Sequence, residues 1–313
     1  MAIYTDKPIT TMYYGKTPIV TNIMAQPQPI VERITIDENG IYYAPEGIDG
    51  YSAINVQVPP TVDVGEENIK FANSSFSAVN TDVFKFENVT SFLGMFQDCT
   101  ALQTFTGVPT PKGDTFSNCW ENCTNLTTVE LDAPRARQMV KAFSNCTKLT
   151  ALTFVRNTMV INWGYAFEKC QSLLTIPENI TTFYAENVGG MFQGCNNLES
   201  IPVLDFGSVR SITGVMGEGS FTKLTDLGGF LELKPTWVSG FLENCPNLTV
   251  RSLVNVLYCL YDWSGNTDGK AELNTGDIYG FGTVHKLSLG ATNLSKLSPE
   301  QIAIATNKGW TLI

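Results

Sequence analysis

The sequence is poor in the residue types on which most catalytic and nucleic-acid-binding sites depend. Its 313 residues include one histidine, and charged residues make up only 16% of the chain. The charges are also unbalanced, since 20 lysines and arginines stand against 30 aspartates and glutamates, for a net charge of −10. An acidic chain is repelled by phosphate backbones and by anionic lipid headgroups. We therefore expect no nucleic-acid partner.

Long apolar runs are missing as well. No stretch approaches the ~18 consecutive apolar residues that a membrane-spanning helix requires. The first residues, MAIYTDKPITTMYYG, lack the basic region followed by an apolar region that is typical of a secretory signal peptide. We therefore expect neither membrane insertion nor secretion by that route. Apolar residues still make up 43% of the chain, which is enough for a large folded core.

Common motifs of nucleotide and hydrolytic sites are also absent. There is no G-x-x-x-x-G-K-[ST] loop, no dinucleotide fingerprint and no G-x-S-x-G elbow. The lone histidine, His285, alternates with Leu287 and Leu289, which indicates an edge-of-core position rather than a catalytic one. The acidic loop 262–277 has Thr267 where a calcium-binding loop needs glycine. Paired carboxylates for glycoside hydrolysis stay open, because such residues need only meet in space. We expect no enzyme activity, no metal site and no cofactor.

What the sequence does contain is a repeated pattern, F-x-x-C-x-x-L. Its members are Phe96/Cys99/Leu102, Trp120/Cys123/Leu126, Phe143/Cys146/Leu149, Phe167/Cys170/Leu173, Phe192/Cys195/Leu198 and Leu242/Cys245/Leu248. The first five cysteines of this series are 23 to 25 residues apart. The unit at Phe221 lacks the cysteine, and Cys119 adds a thiol just before Cys123. A period of this size indicates a solenoid, in which each coil buries its apolar face only against its neighbours.

The period also predicts how the cysteines pack. A cysteine behaves as a small buried hydrophobe, and a solenoid repeats the same interior slot once per coil. We therefore predict reduced, buried thiols, including Cys146, Cys170 and Cys195. Neighbouring rungs ~4.8 Å apart would also permit disulfides geometrically. Cys119 and Cys123 have no second pair and no nearby histidine to complete a zinc site.

The repeats resemble the BspA-type leucine-rich repeats of bacterial surface proteins and bacteriophage proteins. The resemblance covers about residues 80–250 and rests on segments such as MFQDCTALQTF and FQGCNNLESIPVLDFGSVRSITGVM. It implies an α/β solenoid of the leucine-rich repeat type with short parallel strands. It also implies a role in adhesion, recognition or plain architecture, and it does not choose among them.

The chain is accordingly divided into three parts. Residues 1–60 are predicted to form small β hairpins and a docking segment, with strands at 10–14, 17–20, 34–37, 41–43 and 53–58. Residues 61–250 are predicted to form the solenoid, with about six to eight coils.

Residues 251–313 are predicted to form a C-terminal α/β cap on the solenoid. Its helix begins after the N-cap Thr249, a strand covers 285–289, and a second helix begins with a capping box at Ser298 and stops at Gly309.

Two functional classes follow from these observations. The flanking segments ITIDENGIYYAPEGIDGYSAINVQVP and LSLGATNLSKLSPEQIAIATNKGWTLI resemble parts of bacteriophage tail and appendage proteins. This resemblance implies a virion structural or appendage protein that docks to other virion proteins through residues 1–60. Such a protein would be a homo-oligomer or part of a larger assembly, and it would present its solenoid to a host surface glycan or protein. The alternative is a bacterial BspA-type adhesin at the cell surface. In either case, the variable segments 132–137 and 156–158 are the places to look for specificity.

Overall fold

A computed structural model describes residues 11–14, 17–21, 24–25, 35–36, 42–43, 51–52, 77–79, 86, 89–156, 159–209, 212, 214–217, 219–234, 237–238, 242–265 and 285–313.

The first described elements are short antiparallel strand pairs. Strand β1 (Thr11–Tyr14) pairs with β2 (Thr17–Thr21). Strand β3 (Met24–Ala25) pairs with β6 (Tyr51–Ser52), and β4 (Thr35–Ile36) pairs with β5 (Tyr42–Tyr43). The strand predicted at 53–58 lies outside the described residues.

The repeats build a parallel sheet with one strand from each coil. Strands β7 (Ala78–Val79), β8 (Thr104–Pro109), β9 (Thr128–Asp132) and β10 (Ala151–Phe154) follow one another in the sheet in their order along the chain. Each strand therefore pairs with its equivalent one coil later, which is the geometry of a solenoid of short parallel strands. The predicted repeat fold is confirmed in this respect.

The later coils continue the same arrangement with shorter strands. These are β11 (Ser200–Ile201), β12 (Leu204–Asp205), β13 (Asp226–Leu227) and β14 (Phe230–Leu231). Strand β11 pairs in parallel with β13, and β12 pairs in parallel with β14.

A second ladder runs along another side of the coils. Single parallel bridges join Ser91, Thr115, Gln138, Asn162 and Asn187 in succession. On this side an amide donates to the carbonyl of the following coil, as from Phe92 to Thr115, with an N···O distance of 2.8 Å. On the strand side the amide of Thr127 donates instead to the carbonyl of Gln103 in the preceding coil, also at 2.8 Å. The two ladders satisfy the buried backbone polar groups on two sides of each coil.

The F-x-x-C motif itself forms tight turns without an α-helix. Each turn contains two residues with a left-handed backbone, four positions apart along the chain. The pairs are Gly94/Asp98, Asn118/Asn122, Lys141/Asn145, Tyr165/Lys169 and Gly190/Gly194. Glycine and asparagine adopt this conformation most easily, which explains their abundance around the cysteines.

Aromatic rings and thiols form separate columns inside the solenoid. The rings of Trp120 and Phe143 stack with centroids 5.0 Å apart and an angle of 3°, and Phe143 and Phe167 stack at 5.5 Å and 3°. Trp120 is fully buried, as its position in the motif predicts. The cysteines predicted to be interior, Cys146, Cys170 and Cys195, are also fully buried.

The irregular unit at Phe221 keeps the register in an unexpected way. Phe221 does not take the aromatic position of the motif but the cysteine position. The amide of Leu224 donates to the carbonyl of Phe221 at 3.2 Å, as that of Leu198 donates to Cys195 at 3.1 Å. The aromatic position of this coil is taken by Met216, which is fully buried. Met216 follows Val215 in the chain as Phe192 follows Met191 one coil earlier. The gap between Cys195 and Cys245 is therefore two ordinary coils, one of which has phenylalanine in its cysteine position.

The C-terminal part contains β15 (Trp237–Val238), α1 (Val250–Cys259), β16 (His285–Leu287), α2 (Gly290–Leu294), α3 (Pro299–Thr306) and β17 (Trp310–Leu312). Strands β15, β16 and β17 form a parallel sheet in that order. Thr249 caps α1 and Ser298 caps α3 with a capping box, as predicted. The predicted strand at 285–289 is shorter, and α2 follows it directly. Helix α3 ends before Gly309, because Asn307 is its C-cap.

Helix α1 packs directly on the last repeats. Its residue Ser252 donates through Oγ to the carbonyl of Thr225 at 3.1 Å and accepts from the amide of Leu227 at 2.9 Å. Within the described part of the chain, no helix has both the length and the apolar character that crossing a membrane requires.

Candidate binding surface

The outer face of the parallel strands is built by simple alternation. In β9, Val129 and Leu131 point into the core, so Thr128 and Glu130 lie on the outer side. We call the outward residues of β8 to β14 the strand face. Its first column runs through Thr104, Thr128 and Ala151, which are paired across the sheet. In the later coils the equivalent positions are Thr175, Ser200 and Asp226.

Short polar side chains dominate this face. Thr153 is exposed beside Ala151 in β10, and Thr150 is exposed just before that strand. Larger apolar side chains are also exposed on this side, including Leu174 and Leu231 of β14. The charged groups of this face are carboxylates, among them Glu130, Asp132, Asp205 and Asp226. An extended face made mainly of hydroxyl and carboxylate groups suits broad contact with another surface. It does not supply the convergent groups of a catalytic site.

The most reactive side chains of the repeats, the cysteine thiols, are buried in the core. The Sγ of Cys146 contacts the carbonyl of Trp120 at 3.1 Å, and that of Cys170 contacts the carbonyl of Phe143 at 3.1 Å. Burial raises the pKa of Cys195 and of Cys245 to about 12 each. All eight cysteines are free thiols. Because the thiolate is the reactive form, these buried thiols are poor nucleophiles.

His285 lies among aromatic rings. It stacks on Trp263 with centroids 4.3 Å apart and an angle of 3°, and Trp310 lies tilted at 5.7 Å. Its pKa is lowered by burial. This is the edge-of-core position that the alternation of His285 with two leucines predicts. Among the residues that the structure describes, no group of three or more His, Cys, Asp and Glu could hold a metal ion.

The variable segment 132–137 lies at the turn that follows β9. Asp132 pairs with Arg156 of the next coil, and Arg135 and Arg137 are exposed. The sequence did not predict three exposed apolar residues at equivalent turns, which are Met159, Phe183 and Tyr184. The repeat register alone does not mark them, because they lie in turns of variable sequence, three or four positions before a residue of the second ladder.

The family of the chain follows from the repeats. Six copies of a model described as the BspA type leucine rich repeat region match residues 67–199 and 114–224, which together span half of the chain. The chain belongs to the BspA-type leucine-rich repeat family. No catalytic family is indicated for this BspA-type chain. The repeat extends beyond the matched residues, because Cys245 and Leu248 are buried and hydrogen-bonded like the cysteines and leucines of the earlier coils.

Two solved structures are similar to this BspA-type chain. One is a leucine-rich repeat protein of T. pallidum, with 18% identity, a TM-score of 0.29, and coverage of 69% of this chain and 77% of that one. The other is a leucine-rich repeat protein of Bacteroides ovatus, with 18% identity, a TM-score of 0.27, and coverage of 55% and 62%. Among curated proteins, none matches this sequence.

Proposed function

We propose that this BspA-type chain is a non-catalytic binding protein of the adhesin type, with the strand face as its contact surface. The observation that supports this most directly is the separation of buried and exposed side chains within each coil. Among the described residues, most thiols and most aromatic rings are buried, whereas the strands present hydroxyl and carboxylate groups to solvent. Solenoids offer extended surfaces of this kind to large partners.

The test of this surface uses two bulky charged substitutions. Ala151→Arg with Thr153→Arg places two long side chains on the exposed positions of β10. The labelled full chain is applied to arrays of glycans and of surface proteins, and the double variant should lose whatever the natural chain binds. Thr222→Arg is the matched control, because Thr222 is exposed in a turn after the cysteine position. Equal binding by the double variant would remove the strand face from the proposal.

The cellular context that we propose is the bacterial cell surface, in keeping with the BspA-type family. The second candidate is a bacteriophage virion appendage, favoured by the phage-like segments that flank the repeats. Antibodies against the repeats, applied to intact cells and to purified virus particles, separate the two. Labelling of intact cells supports the adhesin, and labelling of particles alone supports the virion component.

We also propose that residues 1–60 attach the protein to its assembly, as a homo-oligomer or with other proteins. Five tyrosines in this segment exceed what so small a unit can bury by itself (Tyr13, Tyr14, Tyr42, Tyr43 and Tyr51). Deletion of residues 1–60 should leave the circular dichroism of the repeats intact and abolish assembly, measured by light scattering. A truncated chain that assembles normally would move the docking surface elsewhere.

A further inference from the structure

A turn that joins the strand side to the second ladder recurs in several of the described coils. In one coil the amide of Gly113 donates to the carbonyl of Thr110 at 3.1 Å. The same bond runs from Ala136 to Ala133 at 3.1 Å and from Ala185 to Thr182 at 2.8 Å. The exposed residues that lie three positions before the second ladder are Lys112, Arg135, Met159 and Tyr184. We call these four residues, together with the exposed Arg137 and Phe183 beside them, the corner strip.

The chemistry of the corner strip changes along the solenoid axis. Its first half is basic. Arg135 and Arg137 are exposed, and neither has an ion pair with another described residue. Its second half is apolar, because Met159 is 51% and Tyr184 is 47% exposed. Phe183, which is 56% exposed, packs edge-on against Tyr184 with centroids 4.9 Å apart and an angle of 89°.

This concentration of positive charge is unusual for the chain. The turns before the apolar half carry Lys112, Arg135, Arg137 and Arg156 against Asp114 and Asp132, which is four cations against two carboxylates. The whole chain has a net charge of −10. Single exposed apolar residues need no explanation, but here three lie together beside exposed arginines. Tyrosine and arginine are also among the residues enriched at the energetic centres of protein interfaces.

We propose that the corner strip binds an extended peptide segment of a partner protein in which carboxylates adjoin apolar side chains. Arg135 and Arg137 receive the carboxylates, since guanidinium groups bind carboxylates through paired hydrogen bonds. Met159, Phe183 and Tyr184 receive the apolar side chains. Three coil steps of ~4.8 Å give a strip ~14 Å long, which matches four or five extended residues at ~3.4 Å each. The strip lies outside the strand face, so this inference does not depend on the function proposed above.

The experiment measures binding of the full chain to an array of hexapeptides in which three glutamates precede or follow leucine, phenylalanine and leucine. Affinities of the best peptides are then measured by fluorescence anisotropy. Arg135→Glu combined with Arg137→Glu should weaken binding by at least about tenfold, and so should Tyr184→Ser, because each removes a central contact. Raising the salt concentration should also weaken binding, because the charges on the strip are exposed and screened.

Matched controls lie on α1, away from the strip. Arg251 is exposed and Tyr258 is 64% exposed, so Arg251→Glu and Tyr258→Ser repeat the same chemical changes at another surface. Both should leave the affinity unchanged, and circular dichroism verifies that every variant is folded. The proposal is overturned if no hexapeptide binds, or if the strip variants bind as well as the controls do. Binding of oligosaccharides instead of peptides, lost in the same variants, would also overturn it.

Discussion

The aromatic ring of Tyr165 lies over the Cα of Gly190 in the next coil. A Cβ atom added to Gly190 would overlap ring atoms Cδ1 and Cε1 of Tyr165. Both residues have a left-handed backbone, with φ of 57° and 64°. The ring of Tyr165 therefore occupies the space that a side chain at position 190 of the next coil would need.

The first prediction concerns Gly190→Ala. The left-handed backbone alone should cost about 1 to 2 kcal/mol, and displacement of the Tyr165 ring should add about 1 kcal/mol or more. Urea unfolding measures both terms. Gly107→Ala is the control, because Gly107 has φ of 67° and nothing within 4 Å of an added Cβ. Equal destabilisation by the two variants would mean that the ring moves aside freely. Compared with Tyr165→Ala, the double variant Tyr165→Ala/Gly190→Ala should lose no more free energy of unfolding than Gly107→Ala loses compared with the natural chain.

The second prediction concerns two adjacent leucines. Leu173 is 1% exposed in the leucine column, so Leu173→Ala should lower the free energy of unfolding by about 2 to 5 kcal/mol. Leu174 is 43% exposed on the strand side, so Leu174→Ala should change it by less than about 0.5 kcal/mol. The two variants remove the same atoms one position apart. Similar effects at both positions would contradict the alternation of buried and exposed residues.

The third prediction concerns thiol reactivity in the native protein. Seven cysteines are buried and only Cys259 is partly exposed. The aromatic disulfide reagent used in thiol titration should therefore react first with Cys259, and with the other thiols only on unfolding. The control is Cys259→Ser, which should remove the early reaction. Rapid modification of several thiols in the native state would be incompatible with this core.

The fourth prediction concerns stability at alkaline pH. Burial raises the pKa of Cys195 and Cys245 to about 12, above the ordinary value of 9.0. Below pH ~9 both states keep these protons, so the full stability is present. Above that pH the unfolded chain loses the protons first, and stability should fall progressively up to pH ~12. Replacing both cysteines by alanine should make this dependence shallower in denaturant titrations, although the other buried thiols still contribute, whereas replacing the half-buried Cys259 should alter it less.

The fifth prediction concerns the end of α1. The Nζ of Lys308 donates to the carbonyls of Tyr258 at 2.6 Å and Leu260 at 2.9 Å, in a helix with no basic residue in its own last turn. Lys308→Met should therefore cost about 1 to 2 kcal/mol, because charged donors stabilise such carbonyls more than neutral ones do. Lys308→Arg should retain part of the effect. A thermal midpoint unchanged by Lys308→Met would show that water replaces the lysine.

The sequence by itself determined the architecture of the repeats, because a solenoid transfers its periodicity directly into space. Each F-x-x-C-x-x-L unit meets its own neighbour, so Cys146 and Leu173 could be assigned to the core without any knowledge of distant contacts. The caps at Thr249 and Ser298 were equally readable, since they depend on only a few adjacent residues. Local and nearest-neighbour interactions account for all of these features.

Only the tertiary structure decided what depends on the offset between coils. Phe221 keeps the register from the cysteine position because the preceding turn is longer, and the spacing of the motif alone conceals this. The corner strip is built on four residues that are 23 to 25 positions apart, namely Lys112, Arg135, Met159 and Tyr184. No local pattern links them, because each belongs to a turn of variable sequence. They become neighbours only when the hydrogen bonds of the second ladder align one coil with the next.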